Sequence, residues 1–343
     1  MLWGELMKSI YAILLLIMIS TLITFNVEGY LEKIKIAVSI GVLKYIVEEI
    51  GGIRVEVFSI VPPNIEPHQF TITPQVLYQA STAKLIVIDG HMDWEIKLVE
   101  QVAKAKGVKQ NDISINLMDY KNNMTILEIP SWTGVSGRNY HGYWILPENI
   151  IVIAEAIKNK LSEIDPEGRE YYEENFAKLK EEINILNKEI MSLKRKISGV
   201  KTVLAFLAEQ YIAYIFGLEV ASILTIEEGT SPTPKTMEAA YNTLKEGGII
   251  LVSDVSSKMP VYNTIQELSK QTGAPIIEVM ITMEMGYTSI MMYNIGIING
   301  MLLNRSIKYT STQANQEVTW IITAMLGITV TIESAYIYKI RRR

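Results

Sequence analysis

Three histidines are the residues best able to do chemistry in this chain, and no cysteine competes with them. His68 lies in the run Glu66-Pro67-His68-Gln69-Phe70, past a Pro62-Pro63 pair. His91 follows an apolar run that ends at Asp89-Gly90, and His141 sits in Asn139-Tyr140-His141-Gly142-Tyr143-Trp144. Neutral imidazole suits borderline ions such as zinc and manganese, and each histidine falls on a loop beside an extended segment. Taken singly, each would serve equally well as a hydrogen-bonded structural residue. Their shared placement on loops of one predicted lobe is what groups them. The lack of cysteine removes disulfides, thiolate sites, a cysteine nucleophile and a lipid-modified cysteine behind an export signal.

These loops need strands and helices to hold them. Strands are predicted over 33–39, 55–61, 84–89 and 114–118, alternating with helices over 42–50, 75–80 and 95–104. A helix over 147–164 follows. Beyond Gly199 the alternation restarts, with strands over 201–206, 219–225, 249–253 and 275–281 and helices over 209–216, 234–244, 261–272 and 294–303. Strand runs that are apolar on both faces, separated by helices, indicate parallel sheet covered on both sides. The expected fold is α/β, two doubly wound parallel-sheet lobes with a ligand cleft between them. The expected division is 30–150 for the first lobe, 151–198 for connecting helices, 199–305 for the second lobe and 306–317 for a linker.

One stretch, 165–197, reads as a single unbroken helix joining the lobes rigidly. Tyr172, Phe176, Leu179, Ile183, Leu186, Ile190, Leu193 and Ile197 recur at three-four spacing, with charged residues on the other faces. Asp165 is the expected N-cap and Pro166 the first helical residue. The same seam would suit an intermolecular coiled coil.

The chain ends carry membrane signals. Residues 10–25 are almost wholly apolar behind Lys8, the layout of an export signal within 1–29. Residues 318–338 are apolar apart from Glu333 and lead into Lys339 and Arg341-Arg342-Arg343, so 318–343 is expected to anchor the chain by a C-terminal transmembrane helix with the body outside the cytoplasm.

The run Pro67-His68-Gln69-Phe70 after a proline-rich turn, with Thr73-Pro74 downstream, resembles a known family. So do the strand ending Asp89-Gly90, the run His141-Gly142-Tyr143-Trp144-Ile145-Leu146-Pro147 before a helix, and the single long connecting helix. The chain is similar to the zinc/manganese-type solute-binding proteins of ABC metal importers, the cluster A-I metal-binding lipoproteins and adhesins, over roughly 34–303. That resemblance implies a clamp that captures one Zn2+ or Mn2+ as cargo and delivers it to an ABC permease and ATPase, working as a monomer. It implies four ligand positions. Two fall on His68 and His141, and the acidic fourth on Glu284. At the third, where the family has histidine, this chain has Phe206. Glu209 is the nearest residue able to bind an ion there, and His91 is a possible substitute.

Other classes find little support. The net charge of −5 gives no reason to expect nucleic acid. There is no glycine-rich phosphate loop, nucleophile elbow or basic stripe, so an enzyme of those classes is not expected. The alternatives are a surface or adhesion protein of the same fold with a degenerate site, and a metal-dependent hydrolase. Asn123-Met124-Thr125 and Asn304-Arg305-Ser306 match the glycosylation acceptor pattern.

Overall fold

The computed structural model describes residues 32–310, except 63, 64, 66, 228, 283 and 284. Its first half alternates β1 (Ile34–Val38), α1 (Gly41–Gly51), β2 (Val55–Ser59), α2 (Pro74–Ser81), β3 (Leu85–Ile88), α3 (Asp93–Lys106), the short α4 (Gln110–Ile113) and β4 (Ser114–Asn116). After α5 (Pro147–Ile164) and α6 (Arg169–Ile197) come β5 (Lys201–Phe206), α7 (Gln210–Phe216), β6 (Glu219–Thr225), α8 (Pro234–Lys245), β7 (Ile249–Ser253), α9 (Val261–Thr272), β8 (Ile276–Val279) and α10 (Tyr287–Thr310).

The strands form two four-stranded sheets in the orders β2-β1-β3-β4 and β6-β5-β7-β8, with every pairing parallel. Leu85 to Ile88 and Ile249 to Ser253 are buried along their whole length, as strands with helices on both faces must be. Both sheets are wound outward in two directions from a central pair, β1 with β3 and β5 with β7. Ligands of open parallel sheets bind beyond the carboxyl ends of such a pair. In the first sheet those ends lead into Ser39 and Asp89, and in the second into Phe206-Leu207 and Asp254.

The molecule divides into two units. Among the described residues the first comprises 32–127, 143–183 and 285–287, and the second 128–142, 184–282 and 288–310. This differs from the sequence division in three ways, the first being that 285–287, expected in the second lobe, belong with the first unit. Residues 128–142 belong with the second unit, and the boundary falls within α6 rather than at its ends.

The α6 stripe is confirmed, because all eight of its apolar residues are at most 5 % exposed within this one chain. No seam is left for an intermolecular coiled coil. The start of the helix is corrected: α5 ends at Ile164, a tight turn covers Pro166–Gly168, and α6 begins at Arg169, giving 29 residues. Asp165 caps nothing. Its carboxylate instead accepts from Arg54 Nε at 2.8 Å and Nη2 at 2.9 Å, and from the Tyr172 hydroxyl at 2.5 Å. A Cβ on Gly168 would run into both the Asp165 carboxylate and the Arg54 guanidinium, so glycine is needed where the chain turns.

At its end the chain also departs from expectation. The last helix is longer than 294–303 and runs through the first part of the expected linker, to Thr310. No helix of the described residues is long and apolar enough to cross a membrane. The expected export signal, 1–29, and the anchor segment, 318–343, lie outside the described residues.

The bidentate Arg54 pair holds the Asp165 carboxyl below its ordinary value of 3.8, against the opposing effect of burial, with the Tyr172 hydroxyl assisting. A carboxylate depressed in the folded state stabilises above its unfolded pKa and loses that contribution as pH falls through the folded value. Asp165→Asn should therefore cost about 1–2 kcal/mol at pH 7. In denaturant titrations the gap from the parent chain should close as pH drops below 3.8.

Candidate metal centre

In the first unit β3 delivers Asp89, which is fully buried, to the carboxyl edge of the sheet. Glu95, in the first turn of α3 and also buried, holds the loop that follows. It accepts from the backbone N–H groups of Asp89 at 3.0 Å, Gly90 at 2.8 Å and Met92 at 3.1 Å. The Asp89 N–H also donates to Ser39 Oγ at the end of β1, at 3.1 Å. Gly90 has φ of +90°, and a Cβ there would collide with the Asn116 side chain, so the turn requires glycine.

His91 is thereby mounted on a loop pinned at three backbone positions. Its Nδ1 lies 2.5 Å from Asp89 Oδ2, and the other carboxylate oxygen accepts from the buried Tyr143 hydroxyl. Burial opposes a charge on His91, but hydrogen bonding to Asp89 and the charges of Asp89 and Glu95 outweigh it, so its pKa is raised. Burial, and next the Asp89 charge, raise that of Glu95.

His68 lies in the Pro67–Gln69 turn. The Trp94 indole N–H of α3 donates to the Pro67 carbonyl at 2.8 Å, and the Phe70 ring packs edge-on against Trp94 at 4.9 Å. The turn therefore sits beside the α3 end of the His91 loop. The His68 and His91 ring centres are 5.1 Å apart, edge to face.

His141 belongs to the second unit, which corrects its expected grouping with the other two on one lobe. Asn139, fully buried, fixes it: its Oδ1 accepts from the His141 N–H at 2.9 Å, while its Nδ2 donates to the Leu207 carbonyl at 3.0 Å and to Gln210 Oε1 at 2.9 Å. The Tyr211 hydroxyl donates to the Asn139 carbonyl. The His141 ring faces Phe206 at 5.4 Å between centres.

Glu209 is 0 % exposed. Its Oε2 accepts from the Phe206 N–H at 2.5 Å, and its Oε1 accepts from the Ser253 N–H at 2.9 Å and the Ser256 hydroxyl at 2.6 Å. Burial pushes its pKa up to about 7, against the lowering effect of these bonds. It does in the second unit what Glu95 does in the first, tying strand ends to the start of a helix. Glu284 lies outside the described residues. Among the described residues no three His, Asp or Glu side chains are gathered closely enough to hold an ion.

Sequence reasoning missed Asp89, Glu95, Asn139 and Tyr143 as supports of these histidines. The spacing of Glu95 three residues after Met92, at the opening of an apolar-periodic helix, was the one available signal.

The sequence pattern of the family described as "ZnuA: Zinc-uptake complex component A periplasmic" matches residues 36–300. The manganese ABC transporter substrate-binding lipoprotein PsaA of Streptococcus mitis is 25 % identical over 71 % of this chain and 79 % of its own length. The metal ABC transporter substrate-binding lipoprotein ScbA of Streptococcus cristatus is 27 % identical over 77 % of this chain and 87 % of its own. The crystal structure of ZnuA superposes with a TM-score of 0.61 at 25 % identity, covering 78 % of this chain and 99 % of that one. These relatives are named as lipoproteins, not as proteins with a transmembrane anchor, so the expected C-terminal transmembrane anchor is withdrawn.

Removing the Glu209 carboxylate leaves the buried Phe206 N–H without its acceptor and takes one acceptor from the Ser253 N–H and the Ser256 hydroxyl. Glu209→Ala should lower metal-free stability by about 2–4 kcal/mol. If the residue serves only the loop, a metal-dependent rise in melting temperature survives the change, whereas a ligand role would abolish that rise.

Proposed function

The chain belongs to the zinc-uptake complex component A family, and on that premise we propose that it captures a single divalent transition-metal ion outside the cytoplasm and hands it to an ABC permease and ATPase. The ion is cargo, Zn2+ or Mn2+, and is bound without turnover. The observation that carries this reading is the approach of two imidazoles, His68 and His91, on loops beyond the carboxyl ends of β2 and β3. That is the edge at which open parallel sheets take their ligands.

His68, His141 and Glu284 are the proposed ligands, with Glu209 or His91 in the place where Phe206 stands. Imidazole and carboxylate together accept both zinc and manganese, and a larger share of imidazole favours zinc. Phe206 also supports a second reading, a surface protein of this fold that has lost its metal.

Metal loading separates the two. The full chain, incubated with Zn2+ or Mn2+ and desalted, should retain about one ion, and a thousandfold excess over Kd should add about 4 kcal/mol of stability. Retention of no ion and an unchanged melting temperature with either metal would establish the second reading.

A further inference from the structure

We propose that His91 supplies the imidazole that Phe206 lacks, binding the ion through Nε2 beside His68, and that Asp89 and Tyr143 are the positioning residues that aim it. This rests on the metal-capture reading above and names a ligand and its supports for that site.

The distance between rings fits shared coordination. Two imidazoles on one tetrahedral ion, with metal-nitrogen bonds of about 2.0–2.1 Å, hold their ring centres about 5 Å apart. The His68 and His91 centres are 5.1 Å apart. The two imidazoles thus already stand at the spacing that a shared ion requires.

The chemistry of the support fits as well. A ligating histidine ordinarily donates its second ring N–H to a carboxylate, which fixes the tautomer, orients the ring and strengthens the donor nitrogen. Asp89 Oδ2 stands 2.5 Å from His91 Nδ1, so Nε2 is the ring nitrogen through which an ion would be bound. Asp89 is itself fixed: the Tyr143 hydroxyl donates to its other oxygen, and its backbone N–H is held by Glu95 and Ser39. Tyr143 and Asp89 are both fully buried. A buried aspartate with one oxygen on a tyrosine and the other on a histidine has little freedom to release the imidazole.

By contrast, Glu209 already has each oxygen occupied by buried donors. Recruiting it would orphan an N–H or a hydroxyl in the core, a loss that His91 avoids because its bond to Asp89 survives metal binding.

The test uses the full chain with Zn2+ and Mn2+, titrated in competition with a chelating indicator, for the parent and for His68→Ala, His91→Ala, Asp89→Asn and Tyr143→Phe. His91→Ala should weaken Zn2+ binding by about 100-fold, and Asp89→Asn by about 10-fold with the number of bound ions unchanged. Because Asp89→Asn can fail to fold, the parent chain carrying 15N-histidine is measured too. The His91 Nε2 resonance should move to the metal-bound position on adding Zn2+ while Nδ1 stays protonated. A His91 Nε2 that does not respond, or parent-like affinity in His91→Ala alongside loss in His68→Ala, overturns the assignment and leaves metal capture standing. Parent-like affinity in both variants overturns the assignment as well, and a parent chain that binds neither ion overturns metal capture itself. Lost affinity in Asp89→Asn with the His91 tautomer and Nε2 shift unaltered would make Asp89 a merely structural residue.

Discussion

Two buried carboxylates, one in each unit, hold the places where ligands could bind. Glu95 gathers three backbone N–H groups of the loop after β3, and Glu209 gathers the Phe206 N–H with the Ser253 N–H and the Ser256 hydroxyl. Each stands just beyond its strand at the start of a helix, where unpaired N–H groups collect and negative charge is favoured. Burial makes the charged form costly, and the pKa of both is raised. That cost persists because the alternative is several orphaned donors at the edge of a packed sheet. Neither glutamate needs to touch an ion to matter, since the backbone on either side of His91 and at Phe206 takes its position from them.

Much of the fold was legible in sequence because its signals are local. A strand with helices on both faces must be apolar on both sides, and Leu85 to Ile88 and Ile249 to Ser253 show that pattern without any partner in view. The α6 stripe is equally plain, since eight apolar residues at helical spacing need one continuous cover. What misled was Asp165 followed by proline, the usual mark of a capped helix. The capping bond competes with a guanidinium fork more than a hundred positions away in sequence, and the bidentate pair with Arg54 wins. Nothing within a helical turn of Asp165 announces that.

Ligand candidates could be named from sequence but their supports could not, for the same reason. Imidazoles in loops after strands stand out by type alone. Asp89 ends an apolar strand and reads as a strand terminator, while Tyr143 reads as one aromatic among three. Their bond spans 54 residues and joins segments that only folding brings together. The grouping of His141 failed on the same ground. Residues 128–142 lie between elements of the first unit in sequence, yet Asn139 and Tyr211 tie them to Leu207 and the α7 region of the second.

Phe206 shows what this arrangement does to the division of polar groups. The residue is 3 % exposed, ends β5 and lies against the His141 ring. An imidazole there would bring two ring nitrogens into a nearly dry position, each needing a partner whenever no ion is present. Phenylalanine makes no such demand, and its ring gives His141 an apolar neighbour. Polar groups are gathered instead in the first unit, where Asp89, Tyr143, Ser39 and Glu95 form a connected set around the His91 loop. Those bonds hold the backbone around His91 in place with no ion present.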